Sequence, residues 1–436
     1  MALTVDRAEP REIDLAARLG PTLSDGTALR DLIDFENRTV SMRVLRDPEI
    51  HRLELKRIFA RSWVGIGHVG EIPSPGDFVT RYIGEDQVIM TRAKDGSVQV
   101  LLNVCAHRGM QVCWADEGNR STFKCPYHGW VFDSKGALVG AAVEKEMYGN
   151  WDKSQFHLRR PKVEVLQGRV YANFDPDAPT LDEWLGGAKW YLDFTYGEED
   201  KEMEVLLPPR RFLVHVNWKV SADNISGDIY HGMTLHRSLF EMGLIPADER
   251  LPLVHTMKAC VPEGHGMVVF PGFMLPEGDE NPEVTYDLDG RLIGAMLFPA
   301  TFGLGGSQNM RIPGPDGKKY TIMNTGGLVP RGPNAFELWA GALIERDAPD
   351  ELRAAMRASG LVDLGGIDDF AGWPMVQRAA QGVIAEEQTL KYNAVAEANT
   401  PEGYPGPGSV YKGLGGDNNQ WNFWLRWFEL MTTDEA

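Results

Sequence analysis

Two short stretches, Cys105-Ala-His107 and Cys125-Pro-Tyr-His128, each carry one thiol and one imidazole, with seventeen residues between them. Four metal-ligating side chains in this spacing require two loops of the fold to converge on one point. Tetrahedral zinc sites usually pair like with like, two cysteines close together and two histidines close together. Mixed pairs suit a Rieske-type [2Fe-2S] cluster, in which one iron takes both thiolates and the other both imidazoles. The expected cluster ligands are Cys105, His107, Cys125 and His128.

The surrounding sequence reads as a small antiparallel β domain. Phe78 to Ile83, Val88 to Thr91 and Val98 to Leu102 are strand-like runs split by turns at Gly84-Glu85-Asp86 and Asp95-Gly96. Gly109, Pro126 and Gly129 supply the tight backbone that metal loops need, and Trp130 to Phe132 opens a further hairpin. A chain of 436 residues exceeds one ordinary core, and ~150 residues per domain implies two or three units. The expected division is an N-terminal arm at 1–40, interrupted by Pro10, Gly20 and Pro21, a cluster domain at 41–157, and a second domain at 158–436. In that second domain Val163 to Val165 pairs with Val170 to Phe174, and more strands follow to about Ile344. The last third turns helical, from about Ile367 to Ala396.

A net charge of −18 argues against nucleic acid or an anionic membrane as partner. No apolar run approaches the ~20 residues that span a bilayer, and the first residues do not read as a signal peptide. Four cysteines are too few for a disulfide scaffold, so a reducing, cytoplasmic setting is expected.

A second constellation lies between Asn217-Trp-Lys219 and His236. It contains Asp223-Asn224, Asp228 and His231. Two histidines near a carboxylate point to a mononuclear metal, and two histidines with one carboxylate and open positions are typical of non-haem Fe(II) oxygenases. Asp228 and His231, three apart, share a helix face. His231 and His236, five apart, converge most easily if the helix bends or breaks between them, which Gly232 permits. A third ligand must come from elsewhere. Asp369 and Glu387 both fall on the apolar stripe of Trp373, Val376, Ala380, Val383, Leu390 and Ala394, and a buried carboxylate needs a partner or a metal.

Together these motifs, with Asp368-Asp369 and Trp373 four residues on, resemble the catalytic α subunit of Rieske non-haem iron aromatic-ring-hydroxylating oxygenases. The resemblance runs from about residue 40 to the C-terminus. It implies an α+β chain: an all-β Rieske domain, then a catalytic helix-grip domain in which an antiparallel sheet wraps a long helix. It implies that His231 and His236 bind the iron, with Asp369 as third ligand, since Asp369 matches the second Asp of the family's Asp-Asp-x3-Trp pattern. Pro374, just downstream, departs from the pattern and would kink or restart the helix. Asn224 matches the family's asparagine near the iron. Asp228 would bridge a cluster histidine of one subunit to an iron-bound histidine of its neighbour. The implied assembly is a trimer of α subunits with a small β subunit, fed by a ferredoxin and reductase.

The family's usual outcome is cis-dihydroxylation of an aromatic ring, and some members hydroxylate or demethylate instead. A pure electron carrier would need only the ~100-residue cluster domain, and a degenerate scaffold would have lost the iron. Met296, Phe298 and Leu304 are candidate pocket residues, or ordinary core.

Overall fold

The computed structural model describes residues 10–196, 202–237, 241, 256–271, 291–305, 311–359, 367–394, 397–400, 404–412 and 416–433. Its contacts divide the chain into two compact units, Phe59–Leu181 on one hand and Met1–Ile58 with Asp182–Ala436 on the other. These limits differ from the expected 40/41 and 157/158, and hydrogen bonding explains both differences.

At the first limit, helix α1 (Pro10–Ala16) lies against the C-terminal segment through an Arg11–Glu429 ion pair of 3.0 Å and a Trp421 Nε1 bond to Glu12. Helix α2 (Pro48–Glu54) starts with proline at its first position, and Asp47 accepts from the backbone N–H of Glu49 at 2.8 Å. It ends in a fully buried Glu54, which accepts Trp218 Nε1 at 2.9 Å and Trp427 Nε1 at 2.8 Å and pairs with Lys219 at 2.6 Å. A buried carboxylate needs such partners, and they tie residues 41–58 to the C-terminal unit. At the second limit, Lys162–Leu166 pairs with Arg169–Asn173, which pairs in turn with Val64–His68. That sheet carries the cluster unit past residue 157.

The cluster unit otherwise holds a four-stranded antiparallel sheet, ordered Val98–Leu102, Asp86–Arg92, Asp77–Ile83, Glu117–Asn119, and a three-stranded one of Thr122–Lys124, Val131–Asp133 and Leu138–Gly140. Phe78, Ile89, Leu101, Phe123, Trp130 and Phe132 form one buried core with Cys105 and Cys125.

The other unit is built on a long antiparallel sheet. Its described strands run Met203–Val214, Phe336–Glu345, Lys319–Pro330, Thr301–Gly305, Arg291–Leu297, Gly266–Pro271, Met257–Cys260, Ser409–Lys412. Three helices of this unit concern the site: α3 (Trp218–Ile225), α4 (Ile367–Ala380) and α5 (Asn418–Thr432). Helix α5 is apolar on most sides and buried along nearly its whole length, as a helix gripped by a sheet must be. Its Asn419 amide nitrogen sits 2.8 Å from the Ser226 carbonyl and 3.2 Å from those of Ala259 and Met267 on two sheet strands. The chain is therefore α+β, with the all-β unit and the helix-gripping sheet that the resemblance implied.

The long terminal helix does not extend as expected. Helix α4 runs through Pro374 without interruption but stops at Ala380; a turn at Gln381-Gly382, a short 3-10 turn at Ile384–Glu387 and a strand at Thr389–Lys391 follow. That strand pairs with Thr39–Ser41. Val383, expected on the buried stripe, is 82 % exposed. Val395 and Ala396 lie outside the described residues. Met296 and Phe298 are buried, and Phe298 packs on Phe423 of α5 at 5.3 Å; the Leu304 side chain lies outside the described residues. No helix among the described residues is long and apolar enough to cross a membrane.

Candidate metal centres

The two cluster loops share one backbone plan. The N–H of Cys105 donates to the Met110 carbonyl at 2.8 Å and that of Gly109 to the Cys105 carbonyl at 2.9 Å; Cys125 N–H donates to Trp130 at 2.7 Å and Gly129 N–H to Cys125 at 3.1 Å. Each loop turns on a glycine of positive φ, +73° at Gly109 and +70° at Gly129. At Gly129 a side chain is doubly excluded, because a Cβ there would lie 2.8 Å from that of Ala142. The loops bring the His107 and His128 rings to 4.6 Å, edge to face, and bury both of their cysteines.

These residues fit a mixed-ligand cluster. Burial, reinforced by the adjacent Cys125 thiol, pushes Cys105 up to about 11, and burial and then His128 and Arg108 push His107 down. Thiols so placed become thiolates when they bind a metal centre. His107 Nδ1 is buried with no hydrogen-bond partner among the described residues, as a ligand atom aimed into the pocket would be.

The second site begins with the Asn-Trp-Lys motif, which the structure explains. Asn217 caps α3, accepting Lys219 N–H at 3.1 Å, and its own N–H donates at 2.8 Å to Gln377 on α4. The helix leading to the histidines is thus tied to the helix bearing Asp369. Helix α3 ends at Ile225, before Asp228 and not between the histidines as expected. His231 lies in a separate 3-10 turn, Tyr230–Met233, and His236 follows beyond it. Gly372 lets α4 pass close to this segment, since a Cβ there would sit 3.1 Å from Leu235.

His231, His236 and Asp369 consequently converge, with potential ligand atoms all within 4.8 Å of one another. The two Nε2 atoms are 3.0 Å apart, and Asp369 Oδ1 and Oδ2 lie 3.4 Å and 3.6 Å from them. Asp369 is buried, and its Oδ1 has no hydrogen-bond partner among the described residues. Behind the pair, Nδ1 of His231 faces Asp228 at 3.3 Å and the Asn224 amide at 3.2 Å, while Nδ1 of His236 faces Asp368 at 3.5 Å. Each imidazole therefore presents one nitrogen to a common point and the other to a carboxylate, the arrangement that orients metal-binding histidines.

Burial alone would lower His231, but Asp228 and Asp369 outweigh it and raise its pKa to about 9. The same contact holds the Asp228 carboxyl below its ordinary range despite burial. Such a site favours a cation, and the set fits the two-histidine, one-carboxylate face. Glu387, the other carboxylate the sequence left open, is exposed in the turn beyond α4. The placement of Asp368 behind His236 was not visible in the sequence, although the acidic pair itself was.

A family model for the Rieske [2Fe-2S] domain matches residues 62–149. Over 94 % of its length the chain is 31 % identical to the α subunit of N,N-dimethyl phenylurea N-demethylase of Sphingobium sp., covering 96 % of that protein. It is 30 % identical to a benzene 1,2-dioxygenase α subunit of Pseudomonas putida, with 93 % of each chain covered. The solved structure of naphthalene 1,2-dioxygenase from Rhodococcus sp. bound to indole overlays with a TM-score of 0.79 at 32 % identity, covering 91 % of this chain and 95 % of that one.

Proposed function

Because this chain belongs to the α subunits of the Rieske non-haem iron aromatic-ring-hydroxylating oxygenases, we propose that it cis-dihydroxylates a small aromatic substrate with electrons from a ferredoxin and reductase. It is an oxygenase subunit whose cofactors are a [2Fe-2S] cluster and a mononuclear Fe(II). When bound, the cluster supplies electrons singly and the iron supplies open positions for dioxygen. In this reading Cys105, His107, Cys125 and His128 hold the cluster, and His231, His236 and Asp369 hold the iron. Asp228 and Asn224 orient His231 through its Nδ1, as Asp368 orients His236. The observation that carries the reading is the convergence of those three side chains within 4.8 Å in a chain that also has the four cluster ligands.

The similarity to an N-demethylase supports a second reading, monooxygenation at an N-methyl group. Incubation with benzene, biphenyl and N-methylated phenylureas, a ferredoxin, a reductase and dioxygen separates the two. A cis-diol product supports dihydroxylation, and formaldehyde release supports demethylation. Purified protein is expected to be brown, with a Rieske EPR signal on reduction and one iron per chain beyond those of the cluster. A protein carrying zinc alone would overturn the whole reading.

We further propose a cytoplasmic trimer of these chains, with a small β subunit beneath, in which Asp228 links the cluster of one subunit to the iron of the next. In Asp228→Asn both metal centres and the oligomer should persist, while reduced cluster stops discharging in the presence of substrate and dioxygen. Near-normal turnover, or a fully active monomer in sedimentation, would falsify the inter-subunit route.

A further inference from the structure

We propose that Trp130 is a positioning residue for the cluster, its indole face fixing the orientation of the His107 imidazole and keeping that side of the pocket dry. The inference rests on His107 being a cluster ligand, as argued above. The indole and the imidazole are nearly parallel, 9° apart with centroids at 4.7 Å. Trp130 meets its other close neighbours differently: Tyr148 at 78° and Phe156 at 81° edge to face, and Trp151 tilted at 59°. Those contacts are ordinary aromatic core packing. The flat face is reserved for the histidine.

Three further observations make the contact a built one. Trp130 is 2 % exposed, so its face against His107 leaves no room for water. Its Nε1 donates to the Tyr148 hydroxyl at 3.2 Å, and Tyr148 stacks on Trp151 at 4.4 Å, so the indole plane is pinned from behind. Its carbonyl accepts the Cys125 N–H at 2.7 Å. One residue thus sets the backbone of the second loop and packs the ring of the first. Histidine ligands are commonly oriented by a hydrogen bond to their second nitrogen; on this side of His107 a stacked ring does the orienting.

A direction follows. Reduction adds one negative charge to the cluster, and the electron-rich indole face disfavours it, whereas water would favour it. Trp130→Leu removes the face and admits water, and both effects raise the reduction potential. The oxidised-to-reduced ratio at a fixed solution potential should fall about tenfold, equivalent to about 59 mV for one electron. Trp130→Phe retains an aromatic face and should stay near the wild-type potential.

The test is an EPR-monitored redox titration of the whole protein at fixed pH, with iron and acid-labile sulfide measured on each variant. Support would be a raised potential and broadened g-values in Trp130→Leu at full cluster content, with Trp130→Phe restoring both. An unchanged potential and line shape in fully loaded Trp130→Leu would overturn the inference alone. Wild-type protein without a Rieske signal would overturn the ligand assignment and this inference with it. Should Trp130→Leu fail to assemble the cluster, Trp130→Phe decides: a wild-type signal there supports the stacking role, and failure in both variants makes Trp130 an ordinary core residue.

Discussion

Asp369→Ala is expected to remove the mononuclear iron and lower turnover by about a thousandfold or more while leaving the cluster EPR signal unchanged. The size follows from the loss of one of three proposed ligands, since a bound metal supplies several kcal/mol of transition-state stabilisation and about 1.4 kcal/mol corresponds to tenfold in rate. Selectivity follows from the fold, because Asp369 and the cluster ligands belong to different compact units. Asp368→Asn is the control. That carboxylate faces His236 Nδ1 at 3.5 Å, on the side away from the shared point, and loss of an outer partner costs roughly 10–100-fold in metal affinity. Iron analysis, cluster EPR and product yield on both variants would distinguish the roles. Equal, mild losses in both, or retained activity in Asp369→Ala, would move the third ligand to Asp368.

How much of this was legible in the sequence differs from residue to residue. The cluster loops were, because two Cys/His pairs with glycines beside them prescribe both chemistry and backbone, and both Gly109 and Gly129 have positive φ. The convergence of His231 and His236 was only half legible. The spacing required a break, but the helix ends earlier, at Ile225, where the chain passes close to Asn419; a Cβ on Gly227 would lie 2.7 Å from its amide nitrogen. That approach is a tertiary contact across 192 residues, the difference between positions 419 and 227, and no local pattern encodes it. The apolar stripe, read as one helix, leaves Glu387 beside Asp369 as a candidate, and only the resemblance decides between them. The Gln381-Gly382 turn removes it by rotating the chain away from the buried face, which leaves Val383 and Ile384 at 82 % exposure. The contact-defined limits lie away from the expected ones for a related reason: Glu54 belongs with residues more than 160 positions away, as its bonds to Trp218 and Trp427 show.

That same Glu54 gives the largest expected effect on stability. Its ion pair with Lys219, at 2.6 Å with both side chains 0 % exposed, joins α2 to the first turn of α3, and Trp427 fastens it to α5. Burial pulls the Lys219 pKa down against the opposing pull of Glu54. A buried pair of this kind contributes little over a well-packed neutral pair, yet removing one partner strands the other charge and costs about 3–5 kcal/mol. Lys219→Met should fall at the lower end, because two indole N–H groups still stabilise the Glu54 carboxylate. A loss of about 3 kcal/mol should lower the thermal midpoint of the catalytic unit by several degrees. Iron affinity should weaken too, since α3 carries Asn224 and leads to Asp228, while the cluster spectrum stays normal. Glu54→Gln combined with Lys219→Met removes the stranded charge and keeps an oxygen for an indole, so the double variant should be more stable than Lys219→Met alone. Calorimetry on the wild type and both variants provides the test. A double variant no more stable than the single one would show that packing of the Lys219 stem, not its charge, holds the three helices around the proposed iron site.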